Sequence, residues 1–267
     1  MSIEPFEIFA IRYAHLGNRH AGENFALADP HEYASDLDYF IWVLRRSDAT
    51  FVVDTGFGKE AAARRKRELL RSPAEALELA GVDIAQVNDV ILTHLHYDHA
   101  GNLDQFPRAR FHLQDREMAY ATGRYMSHGP LQMPFDLDDV LHMVRHVFAR
   151  RAVFHEGNGR LVPGLHCYRV GGHSAGLQIL RVWTRRGWVV VASDASHLYA
   201  HFQGSRIFPV VYNVGDMLEG YRMLYRLADS PDHIVPGHDP LVMKLYPPPR
   251  PGVEGIVVRL DVPPSAK

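Results

Sequence analysis

Residues 90–99 read Val90-Ile91-Leu92-Thr93-His94-Leu95-His96-Tyr97-Asp98-His99. Three aliphatic residues open this stretch, as in a buried strand, and the polar residues follow where that strand ends. His94 and His96 are two positions apart, so they project from the same side of an extended segment. The stretch predicts a cluster of metal ligands in a loop at a strand's end, where α/β proteins collect their functional sites.

Three later apolar runs each end in a further potential ligand. They are Val170-Gly171-Gly172-His173, Val191-Ala192-Ser193-Asp194 and Ile234-Val235-Pro236-Gly237-His238. We expect four strand ends to converge on one site. Seven ligands exceed what one tetrahedral ion needs, but they serve two ions if Asp194 bridges. One ion would then take His94, His96 and His173, and the other would take Asp98, His99 and His238.

Imidazole and carboxylate ligands together favour zinc, with iron, manganese or cobalt as alternatives. Each of two zinc ions would keep an open position for a shared water, whose pKa would fall to about 7 or below. The resulting hydroxide is a hydrolytic nucleophile, so no organic cofactor is required.

The spacing of these residues resembles the metallo-β-lactamase superfamily over residues 40–240. The matching elements are His94-x-His96-x-Asp98-His99, Gly-Gly-His173-Ser, Ser-Asp194-Ala and Pro-Gly-His238. The resemblance implies an αβ/βα four-layer sandwich, in which two mixed β-sheets flanked by helices hold a dinuclear site at the edge where they meet. Asp54-Thr55-Gly56 resembles an early element of the superfamily, which implies that Asp54 supports the ligands.

Within the superfamily, the segment Asp194-Ala195-Ser196-His197 is most similar to the N-acyl homoserine lactonases and related small-lactone hydrolases. The resemblance implies that metal-bound hydroxide opens a lactone ring while Asp98 passes a proton to the leaving alkoxide. His197 stands where those lactonases commonly have a tyrosine. We expect His197 to donate a hydrogen bond to the substrate carbonyl, with Tyr199 and Tyr212 as substitutes.

Two other functions stay open at this point. One is a different hydrolase of the same fold, such as a glyoxalase II-like thioesterase or a phosphodiester or organophosphate hydrolase. The other is a non-catalytic metal-binding module that uses its proline-rich tail as a docking arm.

Short strand patterns alternate with helical ones along the chain, which predicts a single mixed α/β domain over residues 1–267. Strands are predicted at residues 40–44, 50–54, 90–93, 110–113, 165–170, 177–183 and 188–192. Helices are predicted at residues 59–71, 73–81, 115–121, 136–150 and 216–229. The tail from Tyr246 is too rich in proline for a helix and predicts an extended arm, which either reaches a partner in a homodimer or wraps over its own domain.

The chain has 267 residues, of which 46% are hydrophobic, and a net charge of -2. It can bury a sizeable core, and its charge gives no reason to expect nucleic acid or an anionic membrane as a partner. A small neutral substrate fits better. Because Glu4 and Glu7 stand where a signal peptide would be basic and then apolar, and Cys167 is the only cysteine, we expect a cytoplasmic protein.

The remaining sequence features favour structural roles. Arg64-Arg65-Lys66-Arg67 is flanked by Glu60 and Glu68, which predicts a solvated helix face. Residues 118–135 and 199–212 are candidates for an apolar substrate wall, although each aromatic side chain in them is more typical of the core. Cys167 is expected to be an inert buried thiol. Eleven histidines are expected to be ordinary solvated or hydrogen-bonded side chains: His15, His20, His31, His112, His128, His142, His146, His155, His166, His201 and His233.

Overall fold

A computed structural model describes residues 3–29 and 31–265. Its strands are β1 (Glu7–Leu16), β2 (Leu37–Arg46), β3 (Ala49–Val53), β4 (Glu68–Leu69), β5 (Asp89–Ile91), β6 (Arg110–Gln114), β7 (Ala152–His155), β8 (Gly159–Val162), β9 (Leu165–Arg169), β10 (Gln178–Thr184), β11 (Gly187–Ser193), β12 (Ile234–Pro236) and β13 (Val257–Arg259). Its helices are α1 (Ala21–Asn24), α2 (Lys59–Arg65), α3 (Pro73–Leu79), α4 (Tyr97–Ala100), α5 (Asp115–Ala121), α6 (Gly129–Gln132), α7 (Leu137–Phe148), α8 (Tyr199–Gly204), α9 (Val214–Leu227) and α10 (Leu241–Leu245).

The strands form two mixed sheets. The first has the order β13-β1-β2-β3-β5-β6-β7, with β4 paired to β1. Its strands β3, β5, β6 and β7 run parallel, whereas β13, β1, β2 and β3 alternate in direction. The second has the order β12-β11-β10-β9-β8, in which β11 and β12 run parallel and the other neighbours antiparallel. The predicted α/β sandwich of two mixed sheets flanked by helices is confirmed.

Strand β2 shows how the layers pack, because it is buried on both faces. Phe40, Trp42 and Leu44 enter the core between the two sheets, which also receives residues of β10, β11 and α9. The alternate residues, such as Tyr39 and Ile41, enter a second core between the first sheet and helices α3 and α7. The continuous apolar run of β2 follows from this double burial, since a strand that faced solvent on one side would alternate.

The predicted helix over residues 59–71 is wrong beyond Arg65. Lys66 adopts a left-handed conformation with φ 55° and caps α2. Glu68 and Leu69 then pair with β1, opposite His15 and Ala14. The reversal at Lys66 turns the side chain of Arg67 away from the solvated helix face.

The proline-rich tail folds back on its own domain. Val257, Val258 and Leu260 are buried, and β13 becomes an edge strand of the first sheet beside β1. The described part of the tail is not helical, but turns at residues 251–252 and 254–256 precede β13, so the tail wraps over its own domain instead of forming a continuous extended arm, and its apolar residues contribute to both cores. Across the described ranges, no helix is both long and apolar enough to span a membrane.

Candidate metal centre

The seven predicted ligands come together at the ends of four strands, and all seven side chains are buried. His94 and His96 follow β5, Asp98 and His99 lie in α4, His173 lies between β9 and β10, Asp194 follows β11, and His238 follows β12. Strands β11 and β12 are parallel, so their carboxyl ends bring Asp194 and His238 to the same edge. Gly237 makes this approach possible, because a Cβ there would lie 2.7 Å from the backbone of Ser193.

The donor atoms form two groups. Group one is His94, His96 and His173, and group two is Asp98, His99 and His238 with Asp194; within each group the donor atoms lie within 4.8 Å of one another.

Asp194 faces both groups, one carboxylate oxygen to each. Its Oδ2 lies 3.2 Å from Nε2 of His173 and 3.9 Å from Nε2 of His94. Its Oδ1 lies 3.0 Å from Nε2 of His238 and 3.4 Å from Nε2 of His99. A carboxylate placed in this way is suited to bridge two ions.

The outer nitrogens of four imidazoles are held by hydrogen bonds. Nδ1 of His173 donates to the carbonyl of Val210 at 2.7 Å, and Nδ1 of His238 donates to the carbonyl of Asp38 at 2.9 Å. Because a carbonyl only accepts, Nδ1 carries a proton in both rings, so Nε2 is the nitrogen left to bind a metal. Nδ1 of His99 lies 2.8 Å from Oδ2 of Asp54, and Nδ1 of His94 lies 3.1 Å from Oγ1 of Thr93.

Three of the inward nitrogens make no well-formed hydrogen bond, although the carboxylate of Asp194 lies within 4 Å of each. Nε2 of His94, His99 and His173 is buried without a hydrogen bond to any residue in the described part of the chain. Leaving such atoms unpaired is costly, so their convergence fits a cation at the centre of each group. An outer hydrogen bond with the inner lone pair free is also the usual arrangement of metal-bound histidine.

The charges of the cluster lead to the same conclusion. Burial and neighbouring imidazoles lower the pKa of His94 and His96 well below the usual value, which keeps both rings in the neutral form that binds metal. Burial opposes ionisation of Asp194, but the nearby imidazoles outweigh it and hold the pKa of Asp194 well below its usual range. At His99, burial is likewise outweighed by Asp194 and Asp98, which raise its pKa. The cluster thus favours positive charge at its centre, as a divalent cation would supply.

Asp54 occupies the supporting position expected for it. Its buried carboxylate accepts from the backbone and hydroxyl of Thr93 at 2.7 and 2.8 Å and contacts His99, so it links the start of the ligand loop to α4. Asp54 itself has φ 62°, an unfavourable conformation for a residue with a Cβ, and such conformations persist where the surroundings enforce them.

Sequence reasoning missed a second supporting carboxylate, Glu117 of α5. It is fully buried and accepts from the backbone of Leu95 at 3.0 Å, the hydroxyl of Ser174 at 2.5 Å and the backbone of Gly176 at 2.8 Å. Glu117 therefore ties together the two loops that carry group one. Its partners are 22, 57 and 59 residues away, so no local pattern in the sequence marks it.

A pocket opens above the cluster. Its floor is formed by His96, Asp98, His173, Asp194, His197 and His238, and its walls by Arg19, Glu23, Leu37, Tyr39, Arg65, Arg67, Tyr97, Met133, Pro134, Phe208, Pro209 and Val210. The two candidate segments for an apolar wall thus contribute through Met133, Pro134 and residues 208–210. Tyr199 and Tyr212 do not line this pocket, which makes them unsuitable as substitutes for the family tyrosine.

The prediction that residues 64–67 form a solvated helix face is wrong for Arg65 and Arg67, which line the pocket. Arg65 is only 14% exposed and pairs with Asp136 at 2.7 Å, and its guanidinium lies 3.9 Å from the centre of the Tyr97 ring. Arg67 donates to the Tyr97 hydroxyl at 3.0 Å. Arg67 follows the turn at Lys66, whereas Arg65 lies in α2 and is held at the pocket by Asp136, Met133 and Phe135.

His197 lies beside the bridging carboxylate. Its Nε2 is 3.0 Å from Oδ2 of Asp194, and its ring stacks on Phe208 with centroids 3.8 Å apart. Burial lowers its pKa to about 3 although Asp194 opposes the shift, so the ring is neutral at physiological pH. The donor atoms of His173, Asp194 and His197 also lie within 4.8 Å of one another.

Among the described residues, the other eleven histidines lie outside these donor groups. His201, for example, is buried and bonds the carbonyl of Asn24 at 2.9 Å. Cys167 is free and fully buried in β9, and burial raises the pKa of its thiol, in keeping with an inert side chain.

The two mixed sheets carry a buried cluster of His and Asp side chains at their edge. The family model described as the metallo-beta-lactamase superfamily matches residues 35–238. The chain belongs to this superfamily.

Proteins similar to this chain include lactonases and a thioesterase. N-acyl homoserine lactonase AiiB of Agrobacterium fabrum is 27% identical over 184 residues, which cover 62% of this chain and 66% of that protein's length, somewhat under two thirds. Acyl-coenzyme A thioesterase MBLAC2 of Bos taurus is 32% identical over 107 residues, or 39% of this chain and 36% of that protein. A solved N-acyl homoserine lactone hydrolase, with the product N-hexanoyl-L-homoserine at its catalytic metal centre, superposes with a TM-score of 0.73. It is 20% identical, and the match covers 91% of this chain and 96% of that one, which shows a shared fold.

Proposed function

We propose that this chain is a dinuclear metal-dependent hydrolase that opens a small lactone ring, such as that of an N-acyl homoserine lactone. The observation that carries the proposal is the placement of Asp194, whose two oxygens face two separate donor groups on the floor of one pocket. The lactonases among the similar proteins support the choice of substrate class.

We propose that His94, His96 and His173 hold one zinc ion, that Asp98, His99 and His238 hold the other, and that Asp194 joins them. Iron, manganese and cobalt suit the same mixture of imidazole and carboxylate. Two bound ions would polarise the substrate carbonyl and activate a water at neutral pH.

Asp98 is the residue best placed to carry a proton. It lines the pocket, and its Oδ2 lies 3.5 Å from Nε2 of His99 and 3.7 Å from Nε2 of His238. The main chain at Asp98 is held by the Tyr13 hydroxyl, which donates to the backbone carbonyl of Asp98 at 3.0 Å. A carboxyl fixed in this way can take a proton during attack on the carbonyl and return it to the leaving alkoxide.

His197 is proposed to donate a hydrogen bond to the negative charge that develops on the substrate carbonyl. Its neutral ring has one N–H, and its stacking on Phe208 holds the ring at the pocket floor. The same N–H can instead be donated from Nε2 to Asp194, which lies 3.0 Å away, so we propose that His197 orients the bridging carboxylate until a substrate oxygen takes over its single hydrogen.

The substrate is proposed to be a small molecule whose acyl part lies along Met133, Phe208 and Val210. We propose a cytoplasmic location, with which a single buried free thiol is compatible. Nucleic acid and membrane are not among the proposed partners. The homodimer stays a prediction, and light scattering of the purified chain measures it.

A hydrolysis screen of the zinc-loaded protein tests the function. The panel contains lactones, acyl thioesters, phosphodiesters and an organophosphate, and each is assayed with the parent, Asp98→Asn and the control Asp138→Asn, which changes an exposed carboxylate of α7. We expect lactones to be opened by the parent and the control only. Turnover of thioesters without lactones would instead place the chain with its thioesterase relative, and turnover of phosphodiesters or organophosphates alone would contradict carboxylic ester chemistry.

A further inference from the structure

One corner of the pocket is cationic, although the chain as a whole is slightly acidic. Arg19 and Arg67 line it together with the hydroxyl groups of Tyr39 and Tyr97, and we call these four residues the cationic corner. The side of the pocket that is proposed to contact the acyl part of the substrate, with Met133 and neighbouring residues, is apolar.

Arg67 enters the corner from the turn after α2. Its Nε donates to the Tyr97 hydroxyl at 3.0 Å, and its Nη1 donates to the carbonyl of Arg65 at 2.7 Å. Within the described ranges no carboxylate lies within 4 Å of Arg67, and its Nη2 makes no hydrogen bond. The Tyr97 hydroxyl in turn donates to that of Tyr39 at 3.3 Å, so the hydroxyl hydrogen of Tyr39 remains available to a ligand.

Arg19 reaches the same space from the loop before α1. One guanidinium nitrogen donates to the carbonyl of Glu23, whereas its Nε is buried and has no partner in the part of the chain described. The carboxylate of Glu23 instead accepts from the backbone of His20 at 2.7 Å and is not ion-paired with Arg19. Burial lowers the pKa of Arg19; the nearby Glu23 carboxylate opposes this shift, and the charge of Arg67 adds to it.

The two neighbouring arginines show what a paired guanidinium looks like in this region. Arg64 and Arg65 both pair with Asp136, at 2.5 and 2.7 Å. Arg65 also donates to the carbonyls of Met133 and Phe135 through its terminal nitrogens, although its Nε is buried without a partner in the described part of the chain. What distinguishes Arg19 and Arg67 is that, among the described residues, neither guanidinium forms an ion pair with a carboxylate, whereas Arg64 and Arg65 both do.

We propose that the cationic corner binds an anionic oxygen group, such as a carboxylate, at the end of the substrate's acyl part. The proposal rests on the proposed lactonase function. It changes the expected substrate from a neutral lactone, which the composition of the chain favours, to a lactone that carries an anionic group. Guanidinium groups pair with carboxylate or phosphate in planar geometry, and a buried donor without a partner, such as Nε of Arg19, is costly. The Tyr39 hydroxyl supplies one more donor to the same group.

Two lactones that differ in one group test this proposal. N-hexanoyl homoserine lactone is compared with N-adipoyl homoserine lactone, whose acyl chain also has six carbons but ends in a carboxylate. We expect the parent to show a kcat/KM about ten- to a hundredfold higher for the adipoyl compound, chiefly through KM, as for a charge-assisted hydrogen bond. Arg67→Met and Arg19→Met should each lose most of this preference. Arg64→Met, which changes an exposed arginine outside the pocket, should keep it.

A parent that opens both lactones with equal efficiency would overturn the proposal, as would an Arg67→Met variant that keeps the preference. A phosphate-terminated acyl lactone, run beside the adipoyl one, identifies which anion the corner prefers. If no lactone is opened, calorimetry with adipate and hexanoate distinguishes a failure of the proposed lactonase function from a failure of the cationic corner. Tighter binding of adipate by the parent, lost in Arg67→Met, would retain the anionic corner while the lactonase function fails, and equal binding would reject both.

Discussion

The metal cluster and the cationic corner lie in one pocket but are built in opposite ways. In the cluster, the outer nitrogens of four histidines are held by a carbonyl, a carboxylate or a hydroxyl, and the inner nitrogens converge. In the corner, two long arginine side chains are half-buried and keep donors unpaired. A rigid cluster is suited to chemistry common to many substrates, whereas a corner with open donors is suited to choosing among them.

Removing the bridge should have the largest effect, because Asp194 faces both donor groups. The parent should carry about two equivalents of transition metal per chain, and Asp194→Asn should carry one or fewer and lose at least about a thousandfold in kcat on every substrate. Elemental analysis after gentle purification, together with turnover of one lactone, measures both. A fully active parent with one tightly held ion would contradict the dinuclear assignment.

Asp98→Asn separates the roles of metal ligand and proton carrier. The substitution keeps the shape of the side chain but removes the acid, so kcat should fall at least about a hundredfold, the scale of general acid catalysis. Metal content is measured in parallel, with Asp138→Asn as the control at an exposed carboxylate. Turnover close to the parent would remove Asp98 from the mechanism.

His197 lines the pocket beside Asp194, where the substrate carbonyl is proposed to bind. His197→Ala should lower kcat by roughly ten- to a thousandfold, the scale of one oxyanion donor, while metal content is unchanged. His197→Tyr should keep much of the activity on N-acyl homoserine lactones, because tyrosine is common at this position in those lactonases and its ring can stack on Phe208.

Two outcomes would change this assignment. If His197→Ala matches the parent on every lactone, the residue is structural. If the variant loses metal, the contact of His197 with Asp194 is more important than its proposed hydrogen bond to the substrate carbonyl.

Replacing Glu117 tests whether metal affinity also depends on residues that hold the ligand loops in place. Glu117→Gln keeps the volume of the side chain, but its amide would face the N–H groups of Leu95 and Gly176, so group one should be held less firmly. We expect metal affinity to fall about ten- to a hundredfold, as for other residues that orient ligands. Competition with a chelator measures this, and Glu78→Gln, an exposed glutamate of α3, is the control. Unchanged affinity would limit the rigid cluster to the ligands and Asp54.

The same contrast explains what the sequence could predict. The ligands of the cluster follow apolar strands or lie one to five residues apart in sequence, so the local spacing alone identifies them. The sandwich follows from the same strand pattern. Glu117 escaped detection because its three partners are distant in sequence, and β1 was not predicted.

The corner could not be predicted because its geometry depends on long-range pairing. A run of charged residues suggested that the helix continues beyond Arg65, yet Lys66 is left-handed and Leu69 pairs with Ala14 of β1. That pairing, and not any local preference, turns Arg67 into the pocket. Net charge was equally uninformative, since it averages over a surface on which two unpaired arginines are concentrated in one place.

The smallest effect is expected at Arg65, which lies in the pocket wall but is ion-paired with Asp136. Arg65→Met would release Met133 and Phe135 from two hydrogen bonds and leave Asp136 with Arg64. Because that loop forms the apolar wall, KM should rise a few-fold, by a similar factor for N-hexanoyl and N-adipoyl homoserine lactone, while kcat and metal content stay near the parent values. Steady-state kinetics on the two lactones, beside Arg67→Met, gives the comparison. If Arg65→Met abolishes the preference for the adipoyl compound as Arg67→Met does, then pairing with Asp136 does not prevent an arginine from recognising the substrate, and the distinction between paired and unpaired guanidinium groups in this pocket fails.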